Sequence, residues 1–174
     1  MKSMKKDILK RVIVENKEFI NKISGKFVKR DCFRLPEQIK KVVVLYGVRR
    51  SGKTYLLYQL MKENPDNSLY IDFEDERLEG FSIEDFETLR EAFYELFPHL
   101  IKKKVYFLLD EVQVVDGWEK FCRRLVEKSQ ADVVAAGSSS EIYPENISTQ
   151  LRGRAWSIEV FPFSFQEFVL SKGV

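Results

Sequence analysis

The sequence has little of what zinc centres, disulfide frameworks and imidazole catalysis require. Its 174 residues include two cysteines and one histidine. Cys32 and Cys122 stand far apart and outside any C-x-x-C pair, which excludes a cysteine framework and points to a reducing, cytoplasmic setting. His99 follows Pro98 at an expected helix end with no second imidazole nearby, so it reads as a surface or capping residue rather than a catalyst. No apolar run approaches the length of a membrane span, so no membrane partner is expected. The opening segment "MKSMKKDILKR" is basic but lacks an uninterrupted apolar stretch and a cleavage site, and no secretory signal is expected there. Internal repeats and low-complexity linkers are absent as well, and the length suits one domain with a full core.

What is present is a globular composition, 44% hydrophobic and 32% charged. The net charge of +2 hides an uneven distribution. Residues 1–30 carry ten Lys or Arg against three acidic residues, whereas residues 66–95 carry eleven acidic against two basic. A basic arm of this kind suits nucleic acid or an acidic partner surface, or simply keeps an amphipathic helix soluble. Ile8, Leu9, Val12, Ile13, Ile20 and Ile23 form a helical stripe ending at Gly25, so the arm is expected to be a helix docked through one face.

Beyond the arm, short β-branched runs alternate with helical patterns. "KVVVLY" (41–46), "SLYIDFED" (68–75), "KVYFLLDE" (104–111), "ADVVAAGS" (131–138) and "WSIEV" (156–160) read as strands. Helices are expected through Leu56, Leu57, Leu60 and Met61; through Phe86, Leu89, Phe93 and Leu96, opened by a capping box "SIED" (82–85); through Trp118, Phe121, Cys122 and Leu125; and after a second capping box, "SFQE" (164–167). Such alternation implies an α/β fold with a mostly parallel sheet covered on both faces.

The stretch "LYGVRRSGKTYLL" carries the clearest chemistry. Gly47, Gly52, Lys53 and Thr54 match G-x-x-x-x-G-K-[ST], the phosphate-binding P-loop, between a buried strand and a helix as that loop requires. Glycine at 47 and 52 allows the backbone to turn and approach an anion. Lys53 is expected to reach the β- and γ-phosphates of ATP and Thr54 to ligate Mg²⁺. The whole loop, Gly47, Val48, Arg49, Arg50, Ser51, Gly52, Lys53, Thr54 and Tyr55, is the expected nucleotide-contacting segment, with Arg49 and Arg50 projecting toward a neighbouring element, a partner or the nucleotide edge.

Hydrolysis needs a second half-site. The apolar run "VYFLLDE" ends in Asp110 and Glu111, a Walker B pattern in which Asp110 supports Mg²⁺ and Glu111 orients or deprotonates water. Tandem Asp-Glu favours hydrolysis over transfer to a small metabolite. The absence of an N-K-x-D sequence favours ATP over GTP. The fourth strand ends in "GSSS", where Ser138 or Ser139 is a candidate to contact the γ-phosphate or the water, and the sequence does not choose between them. Arg152 and Arg154, in "LRGR" before the fifth strand, are candidates for an arginine finger or for structural ion pairs.

With these residues in hand, the chain resembles the AAA-like P-loop ATPases, and in particular a poorly characterised group found in archaea and bacteria. The resemblance rests on "GVRRSGKT", "YIDFEDERL", "LLDEVQ", "GSSS" and "LRGR" followed by "FPFSFQEF", in that order. It implies a P-loop NTPase three-layer sandwich with a five-stranded sheet in the order 5-1-4-3-2, and Asp110 and Glu111 beside Lys53. It also implies that Gln113, Ser138 and Ser139 sit near the γ-phosphate, and that "LRGR" supplies an arginine to a neighbouring subunit. The expected organisation is a helical arm over 1–30 and an ATPase core over 31–174. Relatives in that group continue into a helical lid and a C-terminal region, so Phe161, Phe163, Phe165 and Phe168 are expected either to be exposed where a lid packs or to close the domain's own core. The function implied is an ATP-binding, Mg²⁺-dependent ATPase acting on a protein partner, a self-oligomer or nucleic acid. The alternatives are a nucleotide-dependent switch with negligible hydrolysis alone and a DNA-associated ATPase using the basic arm.

Overall fold

Strands whose side chains are apolar on both faces can be stable only inside a sheet covered on both sides, and that is where β-branched runs of this chain lie. The computed structural model describes residues 4–23, 28–30, 35, 40–138, 142 and 144–172. In chain order the elements are α1 (Lys6–Lys22), β1 (Val42–Gly47), α2 (Lys53–Glu63), β2 (Ser68–Asp72), α3 (Asp85–Leu96), β3 (Val105–Asp110), α4 (Trp118–Lys128), β4 (Ala131–Ser138), α5 (Pro144–Gln150), β5 (Ala155–Glu159) and α6 (Phe165–Ser171). The five strands form one sheet in the order β2-β3-β4-β1-β5, with every neighbouring pair parallel. Counted from the β5 edge this is 5-1-4-3-2. The chain has the three-layer α/β architecture of P-loop NTPases.

Alternate residues of each strand feed two apolar layers, as the period of two demands. Val42 and Val44 of β1 join one layer with α1, α3, α4 and Ile147 of α5; Val43 and Leu45 join the other with Leu56, Leu57, Leu60 and Met61 of α2. The helical stripe of α1 is buried at Leu9, Val12, Ile13 and Ile20. Its basic residues meet the acidic stretch of the same chain: Lys6 Nζ lies 2.8 Å from Glu91 and from Glu95, and Lys10 Nζ 2.7 Å from Glu95. Met4 N–H donates to Asp85 Oδ1 at 2.6 Å, which ties the start of the arm to the start of α3. Gly25, the expected C-cap, lies outside the described residues; the C-cap of α1 is Ile23.

Two local expectations change. The "SIED" box forms only by half. Asp85 Oδ2 accepts from the Ser82 N–H at 2.9 Å, but the Ser82 hydroxyl donates to the same carboxylate instead of capping a backbone N–H, and α3 starts at Asp85. Asp is one carbon shorter than the Glu of a full box and is already engaged by Met4. The short α5 is not expected from the sequence, because "PENISTQ" has no helical apolar stripe; from Glu145 to Gln150 only Ile147 is buried. By contrast the "SFQE" box is complete: Ser164 Oγ accepts from Glu167 N–H at 3.2 Å and Glu167 Oε2 accepts from Ser164 N–H at 2.8 Å.

Candidate functional site

A parallel sheet gathers the C-terminal ends of its strands along one edge, and here that edge carries Gly47, Asp72, Asp110 and Ser138. The P-loop leaves β1 at Gly47. A Cβ at this position would stand 2.3 Å from the carbonyl oxygen of Val160, so only glycine lets the loop pass beneath the end of β5. Gly52 takes φ 98° as the N-cap of α2, a left-handed conformation that costs glycine little. Arg50 takes φ 63°, a conformation unusual outside glycine that the surrounding fold must hold in place. Val48, Arg49, Arg50 and Tyr55 are exposed, whereas Ser51 and Lys53 are buried.

Lys53 Nζ donates to the carbonyl oxygens of Gly47 at 3.0 Å and Val48 at 3.1 Å. Burial lowers its pKa from the ordinary lysine value, and the nearby Glu111 and Asp110 carboxylates work in the opposite direction. The ammonium is thereby held against the loop carbonyls, within the field of both carboxylates.

Asp110 is buried at the end of β3. Tyr70 donates its hydroxyl proton to Asp110 Oδ2 at 3.0 Å, and the Thr54 side chain lies close enough to the same carboxylate to favour its charged form. Burial pushes the Asp110 carboxyl up to about 6, against the opposing influence of Thr54 and Tyr70 and with the help of the neighbouring Asp72. Asp72 is the register partner of Asp110 across β2 and β3, and its own carboxyl is raised chiefly by burial. Among the described residues no group of three His, Cys, Asp or Glu side chains could by itself hold a metal ion. The Thr54 hydroxyl and the Asp110 carboxylate, neighbours at this strand end, are instead hard-oxygen groups of the kind that fits Mg²⁺, which takes few protein ligands and keeps water and phosphate oxygens.

Glu111 follows in a left-handed conformation (φ 45°, ψ 42°), which ends the strand geometry of β3. Glu111 Oε2 accepts from Gln113 Nε2 at 2.6 Å. Gln113 lies against the end of β4, where a Cβ on Gly137 would stand 2.2 Å from Gln113 Oε1 and 2.3 Å from Ile142 Cδ1. Gln113 Oε1 itself is buried with no hydrogen-bond partner. Ser138 stands opposite Gly47 in the β1–β4 register, beside the start of the P-loop. Ser139 lies outside the described residues.

The two candidate arginines lie in different places. Arg154 Nε lies 2.6 Å from Glu127 Oε1 on α4, and its carbonyl accepts from Val42 N–H at 2.8 Å, at the strand ends opposite the P-loop. Arg152, at φ 50°, lines a groove of about 610 Å³ between α4 and α5 together with Gln113, Asp116, Arg123 and Ile147. Phe161, Phe163, Phe165 and Phe168 are all exposed, by 62%, 45%, 83% and 50%.

Three residues that the sequence does not announce support the site from beside it: Tyr70 and Gly137, described above, and Arg30. Arg30 is buried, and its guanidinium donates from Nη1 to the carbonyl of Ser51 and from Nη2 to the carbonyl of Phe161, both at 3.0 Å. Tyr70 had a readable position, since it shares the strand face of the residues packed on α2; the contacts of Arg30 and Gly137 are set by segments far away in sequence.

The sequence matches the AAA domain family over residues 39–169. An uncharacterized protein of Methanocaldococcus jannaschii is 38% identical over 171 residues, covering 97% of this chain and 36% of that protein. An uncharacterized protein of Haemophilus influenzae is 35% identical over 139 residues, covering 76% of this chain and 34% of that protein. The chain thus spans about a third of the length of these relatives. Among solved structures, C. elegans PCH-2 aligns at TM-score 0.48 with 14% identity, over 91% of this chain and 42% of that one. A DNA polymerase III gamma subunit-related protein of Thermotoga maritima aligns at TM-score 0.48 with 15% identity, over 90% and 47%. With its P-loop, its parallel sheet order and a match spanning most of its length, the chain belongs to the AAA domain family.

Proposed function

We propose that this domain binds ATP and hydrolyses it with the help of Mg²⁺, using the energy to change the conformation of a protein partner, a neighbouring copy or a nucleic acid. The observation that carries the reading is the gathering of Thr54 at the start of α2, the buried Lys53, and Asp110 and Glu111 at the end of β3 around one strand end. These four side chains come from two segments distant in sequence, and phosphoryl-transfer sites of this fold need this set of groups at one strand end. In this reading the N–H groups from Ser51 to Tyr55 and the N-terminus of α2 receive the phosphates, and Lys53 neutralises charge on the β- and γ-phosphates. Thr54 and Asp110 would hold Mg²⁺, which when bound neutralises charge shared between the β- and γ-phosphate oxygens. Glu111, fixed by Gln113, orients the attacking water and accepts its proton. Ser138, beside Gly47, is the serine assigned to the phosphate or the water. Tyr55, Val48, Arg49 and Arg50 face outward toward the nucleotide edge or a partner.

A second reading, a nucleotide-dependent switch with negligible turnover alone, has its own support: Arg154 is paired with Glu127 at the strand ends opposite the P-loop and so does not serve Lys53 within one chain. The basic arm gives less support to nucleic-acid binding, because Lys6 and Lys10 already pair with acids of α3. Steady-state phosphate release from MgATP decides between the first two. Release abolished by Glu111→Gln supports the hydrolase; release at background in the unmodified chain across a wide concentration range supports the switch.

A further inference from the structure

The most unusual polar arrangement outside the phosphate site is a single buried arginine that joins the P-loop to the last helix. Arg30 donates to the carbonyls of Ser51 in the P-loop and Phe161 beyond β5, and its Nε lies 2.6 Å from Glu167 Oε1 on α6. Its backbone N–H donates to Gln59 Oε1 on α2 at 3.0 Å, and its guanidinium lies over the Phe163 ring at 5.4 Å. Its Nη1 also stands 3.2 Å from where a Cβ on Gly52 would be. The guanidinium therefore rests against the Ser51–Gly52 peptide, immediately before Lys53.

The other end of the contact is equally specific. α6 buries none of its residues; Phe165, Phe168 and Leu170 are 83%, 50% and 56% exposed. What fastens the helix is polar: Glu167 gives Oε2 to the capping box and Oε1 to Arg30. Burial opposes ionisation of Glu167, but the Ser164 N–H and the Arg30 guanidinium together hold its carboxyl below the ordinary value. A planar fork that donates to two carbonyls while its charge stands beside a carboxylate is a task that arginine can perform and lysine cannot.

We propose that Arg30 is a positioning residue that fixes the Ser51–Gly52 peptide of the P-loop and, through Glu167, fastens α6 to it, so that phosphate binding and the placement of α6 are linked. The inference rests on the reading of the P-loop as a nucleotide site only for its second half; the fastening of α6 by Arg30 stands without it. Linkage is reciprocal, so a ligand that steadies the loop also steadies α6, and a partner that moves α6 alters nucleotide affinity.

The test uses Arg30→Lys, which keeps the cation but loses the fork, and Glu167→Gln, which keeps the capping acceptor but loses the charge. Hydrogen exchange of α6 amides is compared with that of α1 in unmodified and variant proteins, without nucleotide and with MgATP. Without nucleotide, both variants should exchange α6 about tenfold faster, with α1 unchanged. With nucleotide, MgATP should slow α6 exchange in the unmodified protein and not in Arg30→Lys. Arg30→Lys should weaken MgATP binding about tenfold, raising KM more than it lowers kcat. Unchanged α6 exchange in both variants overturns the fastening, and unchanged MgATP affinity in Arg30→Lys overturns the linkage. If the unmodified protein binds no MgATP, the proposed function fails, while the nucleotide-free exchange still decides whether Arg30 holds α6.

Discussion

The two edges of the sheet are finished in opposite ways. At the β2 edge, Ser68, Leu69, Tyr70 and Ile71 are all buried, and α1 packs across them with four buried apolar side chains and ion pairs to α3. At the β5 edge no residue of Ala155–Glu159 is fully buried, Trp156 is 42% exposed, and α6 contributes nothing to either apolar layer. Burial that is non-directional and proportional to area makes the first edge insensitive to small changes in geometry. A few directional polar contacts make the second edge sensitive to them. The contrast assigns the arm a structural part and leaves the β5–α6 side as the place where the phosphate loop meets the outer surface.

The sharpest way to break that comparison is to truncate one apolar residue on each side. Leu9→Ala, at a fully buried position on α1, should cost about 2–5 kcal/mol and lower the midpoint of chemical unfolding. Phe168→Ala on α6 should change the same midpoint by no more than about 0.5 kcal/mol. Equal losses at both sites would erase the distinction.

A second effect comes from the carboxylate buried beside the sealed edge. Asp110 titrates at about 6 when folded, above its ordinary value of 3.8, so the folded state holds the proton more tightly than the unfolded chain. Stability present below the ordinary value is therefore lost as pH rises through about 6. Asp110→Asn removes that slope. Urea unfolding without Mg²⁺ should show the variant to be nearly equal to the unmodified protein at pH 4 and more stable at neutral pH by on the order of 3 kcal/mol. A variant less stable at neutral pH would contradict the burial of an unfavourable charge.

Gly137→Ala addresses the middle of the sheet. The new methyl meets the flexible ends of Gln113 and Ile142, so the expected stability cost is about 1 kcal/mol, because those ends can yield. Displacing Gln113 should release Glu111, so phosphate release should fall by much more than stability does. Loss of the two in proportion would show that Gln113 has no positioning part. Lys10→Ala, which removes one exposed pair with Glu95, should give the smallest effect: a lower thermal midpoint in dilute buffer that disappears at high salt.

Local pattern made much of this legible and non-local geometry hid the rest. β-Branched runs marked all five strands to within a residue or two at most ends, and the spacing of Trp118, Phe121, Cys122 and Leu125 marked a helix in which all four are buried. The P-loop and the Asp110–Glu111 pair were readable because each is a contiguous motif at a strand end. The sheet order came from the family resemblance, since the strands alone do not state their neighbours. Arg30 was read as one basic residue among ten, because nothing near it in sequence announces Ser51, Phe161 or Glu167. Nothing near Gly137 in sequence announces that Gln113 lies over it. The apolar residues of "FPFSFQEF" could not be assigned to core or surface from spacing; the fold leaves their rings outside both apolar layers.

The most direct test of the account is a binding titration of ATP, with and without Mg²⁺, to the unmodified chain and to Lys53→Ala. The account predicts saturable ATP binding that is strengthened by Mg²⁺ and lost in the variant, with the variant's fold intact by circular dichroism. Binding that is absent in the unmodified chain, or that persists unchanged in Lys53→Ala, would contradict the assignment of the β1–α2 loop as the phosphate site.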